Sequence, residues 1–110
     1  MDINIEQQED IIVVTLAGEV DANTAPKVHQ AILPHGQPGA KILLDMTAVP
    51  YMSSAGLRLL LYLYRQTKGN SAQLVLVGLS EELLDTMAVT GFLDFFSICP
   101  TLAEGKNAFS

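Results

Sequence analysis

Cysteine is almost missing from this chain of 110 residues: Cys99 stands alone, so no internal disulfide forms. It lies in the apolar stretch Phe95-Phe96-Ser97-Ile98-Cys99, with no His or Lys beside it to activate the thiol, and reads as a buried filler. Histidine is equally scarce. His29 and His35 are the only two, and no second Cys or acidic cluster stands at ligand spacing, so no metal is expected. Charged residues make up only 16%, with 6 basic against 12 acidic; the net charge of −6 argues against a nucleic-acid backbone as partner and leaves a protein or small ligand. No apolar run reaches transmembrane length, so direct membrane insertion is not expected. The opening Met1-Asp2-Ile3-Asn4-Ile5-Glu6 lacks the basic region and apolar core of a signal peptide, and a cytoplasmic protein is expected. The glycine-lysine motif of a P-loop is missing too, and no tightly held cofactor is expected.

What is present is apolar side chain. At 49% hydrophobic composition and a mean hydropathy of +0.31, the chain has ample material for one packed core, and its length suits one domain spanning 1–110. Residues 2–7 alternate polar and apolar, as a half-exposed strand does, and Gln8-Glu9-Asp10 is a polar turn. Residues 11–17 are apolar on both faces, an interior strand stopping at Gly18. Asp21 or Asn23 can cap a helix running to about Leu33, with Ala25, Val28, Ala31 and Ile32 inward and Pro26 in its first turn. The loop Pro34-His35-Gly36-Gln37-Pro38-Gly39 is too short to link two domains. A strand over 41–44, a helix over about 54–68 capped at Gly69-Asn70, and a strand over 73–77 follow. Ser80 then starts a helix burying Leu83, Leu84 and Met87, closed by Thr90-Gly91. A strand over 95–98 and a terminal helix over roughly 101–108 finish the chain, Gly105 and Asn107 weakening the latter. Strands alternating with helices from Ile11 onward imply parallel pairing through crossover helices, and the first strand adds an antiparallel edge. The expected fold is a small α/β domain with a mixed, mainly parallel sheet.

The chemistry gathers where the third strand meets the second helix. Pro50 cannot donate to a ladder, so the chain must turn near it, and after Ser53-Ser54 apolar residues recur at Leu57, Leu60, Leu61 and Tyr64, the spacing of one helical face. Either serine can cap that helix, the commoner role for such a residue. A serine at an exposed helix start can also carry a phosphate, favoured by the open amides and the helix dipole.

The segment Asp45-Met46-Thr47-Ala48-Val49-Pro50-Tyr51-Met52-Ser53-Ser54-Ala55-Gly56-Leu57 resembles the signature loop of STAS domains, the anti-sigma-factor antagonist family, usually written D-L-S-x-V-x-(Y/F)-(M/I)-D-S-(S/T)-G-L. Asp45, Val49, Tyr51, Met52, Ser54, Gly56 and Leu57 match it. Ser53 stands where the family usually has Asp, and Ala55 replaces the second hydroxyl residue. Gly18-Glu19-Val20-Asp21 is similar to a second motif, G-x-(L/V)-D before a helix, and the resemblance brings Asp21 in as a loop residue near the phosphoacceptor.

The resemblance implies a regulatory binding module, with Ser54 phosphorylated by its partner. Unphosphorylated, such a protein sequesters a serine-kinase anti-sigma factor, and a cognate phosphatase restores it. Asp21, Ser53 and Ser54 are its contact residues, joined by Arg58 and Tyr62, which lie with Arg65 at i, i+4, i+7 on the polar edge of the helix. STAS domains also serve as subunits of other signalling particles or membrane-transport assemblies. A serine-nucleophile enzyme is the third reading, since strand-turn-helix is also the setting of hydrolase elbows. Met52-Ser53-Ser54-Ala55-Gly56 lacks the glycine before the serine, and neither histidine is closely followed by an acid to orient it, which counts against catalysis.

Overall fold

A computed structural model describes residues 1–109. One five-stranded sheet runs in the spatial order β1 (Asp2–Gln8), β2 (Ile11–Ala17), β3 (Lys41–Ala48), β4 (Gln73–Val77), β5 (Ser97–Cys99). The first pair is antiparallel, Ile5 facing Val14, and every later pair is parallel, Ile42 lying beside Leu74 and Leu76 beside Ile98. Each parallel step needs a crossover, and α1 (Ala25–Ile32), α2 (Ser54–Gly69) and α3 (Glu81–Val89) supply the three. A short α4 (Leu102–Asn107) ends the order. The expected α/β class, mixed sheet and crossover helices are all present.

Alternation along the strands sorts the core into two layers. Val14, Leu16, Ile42, Leu44, Met46 and Leu76 join α1 to α3 in the larger cluster, while Ile11, Val13, Leu43, Val75 and Val77 pack on the opposite face with Leu102 and Phe109. This is why the central strands read as apolar on both sides. Gly105, which weakens the sequence case for α4, is what lets that helix dock. A Cβ there would collide with Val77 Cγ1 and stand 3.0 Å from Leu43 Cδ1.

Several boundaries differ from expectation. Strand β3 runs on through Asp45 to Ala48, because Ala48 still pairs with Ala17 across a register shift and its carbonyl accepts from the Gly18 amide at 3.0 Å. The inward face of α2 is centred on Leu60 and Leu63, with Gly56, Leu57, Leu59 and Thr67 also buried, whereas Leu61 and Tyr64 are half-buried flanks. Tyr64 instead meets Phe95 and Phe96, with ring centroids at 5.5 and 5.6 Å. Gly69 is the last residue of α2, not its cap: the left-handed position after the helix is Ser71 (φ 55°), and Ala72 N donates to Thr67 O at 2.8 Å. Phe95 belongs to a 3-10 turn over Leu93–Phe95, leaving β5 only three residues, and Cys99 is half-buried where full burial is expected. Helix α4 starts one residue late, with Thr101 Oγ1 accepting from Glu104 N at 3.2 Å.

Substituting Gly105→Val should lower the unfolding free energy by about 1 to 3 kcal/mol, the usual cost of overpacking, despite glycine's poor helix propensity. Urea titration checks this. Unchanged stability would mean that α4 does not rest on the sheet.

Candidate functional site

Two loops at the carboxyl ends of β2 and β3 form the site, and backbone hydrogen bonds splice them. Val20 N donates to Tyr51 O at 3.0 Å, Ser53 N donates to Val20 O at 2.9 Å, and Val20 and Met52 form a single parallel bridge. These bonds resume the β2–β3 ladder after Gly18, whose φ of 120° turns the chain, and after Pro50, which cannot donate. Val20, Val49 and Met52 are buried beneath the splice, while Tyr51 projects with 54% of its surface exposed. The first turn of α2 rests directly on it. A Cβ on Gly56 would collide with Met52 Cγ and lie 2.9 Å from Val20 O, so only glycine fits here without displacement.

Asp21 follows Val20 and organises the entry to α1. Its Oδ1 accepts from Asn23 N at 2.9 Å, from Thr24 N at 3.1 Å and from the Thr24 hydroxyl at 3.3 Å, while Asp21 N donates to Thr24 Oγ1 at 2.9 Å. Neither capping candidate caps α1: Thr24 holds the N-cap position without a side-chain cap bond, and Asp21 instead ties the turn that leads into the helix. The hydrogen bonds from Thr24 and Asn23 hold the Asp21 carboxyl below its ordinary range. A depressed carboxylate contributes stability above its unfolded value, about pH 3.9, and loses it as pH falls through the folded value. The loop thus keeps its form at neutral pH.

The two serines separate sharply. Ser53 occupies the N-cap position with extended backbone (φ −79°, ψ 178°) and its carbonyl accepts from Leu57 N at 3.0 Å, yet its side chain caps nothing. Its Oγ is buried without a hydrogen-bond partner. Ser54, the first residue of α2, is exposed. Neither serine meets the expectation of a side-chain cap, and Ser54 is the one whose hydroxyl solvent reaches.

Starting at Ala55, the residue after Ser54, an open apolar groove runs between α1 and α2, lined also by Ala22, Ala25, Pro26, His29, Arg58, Leu59 and Tyr62. Arg58 and Tyr62 thus share one surface with the loops, as their spacing predicts, whereas Arg65 is exposed but lies outside the groove. Tyr62, 47% exposed, stacks edge-on against His29 at 4.8 Å. Sequence reasoning missed His29 and the alanines; small residues at 22, 25 and 55, where the two helices start, are the signal that could have found them. Asp45 points elsewhere. Its carboxylate binds Thr47 N at 3.0 Å and the Thr47 hydroxyl at 2.6 Å, and strand alternation sets it with Leu43 on the α4 side. Among the described residues no His, Cys, Asp and Glu side chains cluster to hold a metal, and no helix is long and apolar enough to cross a membrane.

Replacing Gly56 by Ala should cost about 1 to 3 kcal/mol and loosen the splice. Hydrogen exchange of the Val20 and Ser53 amides should accelerate in Gly56→Ala more than exchange in β4. Equal acceleration throughout would show that Gly56 acts on global stability alone.

The chain is 37% identical over 98% of its length to the whole of a Listeria monocytogenes protein named anti-sigma-B factor antagonist, and 31% identical over 89% to 90% of its Bacillus subtilis namesake. Among solved structures it superposes on an anti-sigma factor antagonist from Mycobacterium paratuberculosis with a TM-score of 0.83 and 26% identity, covering 97% of this chain and 92% of that one. The model of the STAS domain matches residues 2–105, and with the two spliced loops in place the chain belongs to the STAS domain family.

Proposed function

We propose that this chain is an anti-sigma-factor antagonist working by partner switching. Unphosphorylated, it binds a serine kinase that is itself the anti-sigma factor and so sequesters it; phosphorylation of Ser54 ends the contact, and a phosphatase restores it. The observation that carries the reading is the exposed Ser54 at the start of α2, held by the spliced loops one residue before Ala55 lines the apolar groove. The names of the relatives at 37% and 31% identity support the choice of partner. ATP and a kinase as co-reactants also make the cytoplasm the expected compartment.

In the transfer, Ser54 Oγ attacks the γ-phosphorus of ATP. The Oγ–P bond forms as the bond to the β,γ-bridging oxygen breaks, ADP leaves, and the hydroxyl proton passes to a base of the kinase. This chain supplies only the acceptor. Among the described residues neither serine oxygen is hydrogen-bonded to a histidine, and His29 is engaged with Tyr62. Both observations favour a binding role for the module.

A phosphate adds about −1.5 to −2 charges at the first residue of α2, where open amides and the helix dipole favour an anion. The Asp21 carboxylate opposes it, but its lone pairs are already turned toward Asn23 and Thr24. The fold is therefore expected to survive phosphorylation. A close-packed protein contact would not survive it, since the dianion must be desolvated or repelled.

Ser54→Ala should bind the kinase constitutively and accept no phosphate, while Ser54→Asp should bind poorly and melt near wild type. Mass-spectrometric site mapping after incubation with ATP and the cell's own anti-sigma serine kinase, paired with thermal melts, tests both. Full binding by stoichiometrically phosphorylated protein would overturn the reading, and phosphate on Ser53 would move the switch by one residue. Reversing the groove's charge with Arg58→Glu should weaken binding about tenfold or more while changing stability by no more than ~0.5 kcal/mol.

A further inference from the structure

Helix α2 is electrostatically unlike the rest of the chain. In a protein with 12 acidic and 6 basic residues, this helix carries Arg58, Arg65 and Lys68 and no acid at all. Lys68 is engaged with Tyr64, its Nζ 3.0 Å from the phenol oxygen. Arg58 has no such partner: among the described residues it makes no hydrogen bond or ion pair, and no carboxylate lies one turn before or after it on its own helix. What does lie one turn before it is Ser54.

We propose that Arg58 is the intramolecular receptor for a phosphate monoester on Ser54. The inference rests on the reading of Ser54 as phosphoacceptor and adds what becomes of the phosphate once it is there. Residues at i and i+4 are neighbours on a helix surface, about 5 to 6 Å apart at Cβ, and an anion placed N-terminal to a cation is the favourable order. Both side chains are exposed, so neither must be dug out of the core to meet. A guanidinium offers two parallel N–H donors to two phosphate oxygens, which lysine cannot match. Competing charges are few. Asp21 is held by the amides of its own loop, Glu19 precedes it, and His29 faces the groove against Tyr62.

The pairing alters how the switch works. Phosphorylation then adds an anion at Ser54 and also withdraws the Arg58 cation from the groove, so one modification reverses the charge that a partner meets.

The test needs no kinase. Phosphoserine is placed at position 54 during translation, and the second ionisation of the phosphate, ordinarily near pH 6, is followed by phosphorus NMR in wild type, Arg58→Gln and Arg58→Lys. Because Glu19, Asp21 and His29 are common to all three, differences report Arg58 alone. The wild-type value should lie about half a unit below that of Arg58→Gln, with Arg58→Lys between them, and the gap should shrink in ~0.5 M salt. The Arg58 Nε–H signal should move on phosphorylation. Values for wild type and Arg58→Gln that agree within ~0.1 unit would overturn the pairing. If the kinase never phosphorylates Ser54, the proposed function fails while this measurement stands; if only the titration fails, the pairing alone falls.

Discussion

Everything at the functional end of this molecule depends on two backbone hydrogen bonds, Val20 N to Tyr51 O and Ser53 N to Val20 O. Without them, the loops after β2 and β3 would leave the sheet independently, and Ser54 would have no fixed relation to α1. With them, a single residue carries the sheet's pairing past a glycine turn and a proline. The bonds are neutral and made by main chain, so their specificity lies in what can approach them. Gly56 permits the first turn of α2 to sit on the Val20 carbonyl, and Val20, Val49 and Met52 exclude water from below. A hydrogen-bonded backbone frame thus presents one exposed hydroxyl.

Such a frame explains how a modification could be read without a change of fold. The groove between α1 and α2 is built from alanines, a proline, a leucine and the edge of a tyrosine, so it offers shape and apolar area. Among the lining residues Arg58 carries the permanent charge, with the ionisable His29 beside Tyr62. A partner that fits this surface gains from close packing, and close packing is what a new dianion penalises most. The capping function that a serine usually serves is vacated here by both hydroxyls, Ser53 because its oxygen is buried and Ser54 because it has already entered the helix.

Much of this was legible in the residues, and the reasons differ from place to place. Strands β2 and β4 have the bounds their apolar runs predict, since burial on both faces leaves little ambiguity. Ser80 caps α3 as expected, its Oγ accepting from Leu83 N at 3.2 Å. The two motifs brought Asp21 and Ser54 into view and helical spacing brought Arg58 and Tyr62, and the fold joins their elements at one end of the sheet. Long-range packing was not legible. Nothing local tells that Gly105 must be small because Val77 and Leu43 lie under it, or that Ser71 must take the left-handed turn one residue past the asparagine. Phe95 misleads for a similar reason: its apolar neighbours suggest a strand, yet its ring is held by Tyr64 across the chain. The orientation of Asp45 follows only from the register of β3, which continues past the point where its apolar run ends.

Asp45 and Thr47 alternate with Leu44 and Met46 along β3, and so stand on the face of the sheet away from the larger core. The sheet thus separates the cluster that carries α1 to α3 from the smaller cluster that α4 closes. Its two surfaces are packed by different helices, and each cluster holds its own set of side-chain contacts. The groove between α1 and α2 and the seat of α4 therefore lie on opposite faces of one sheet.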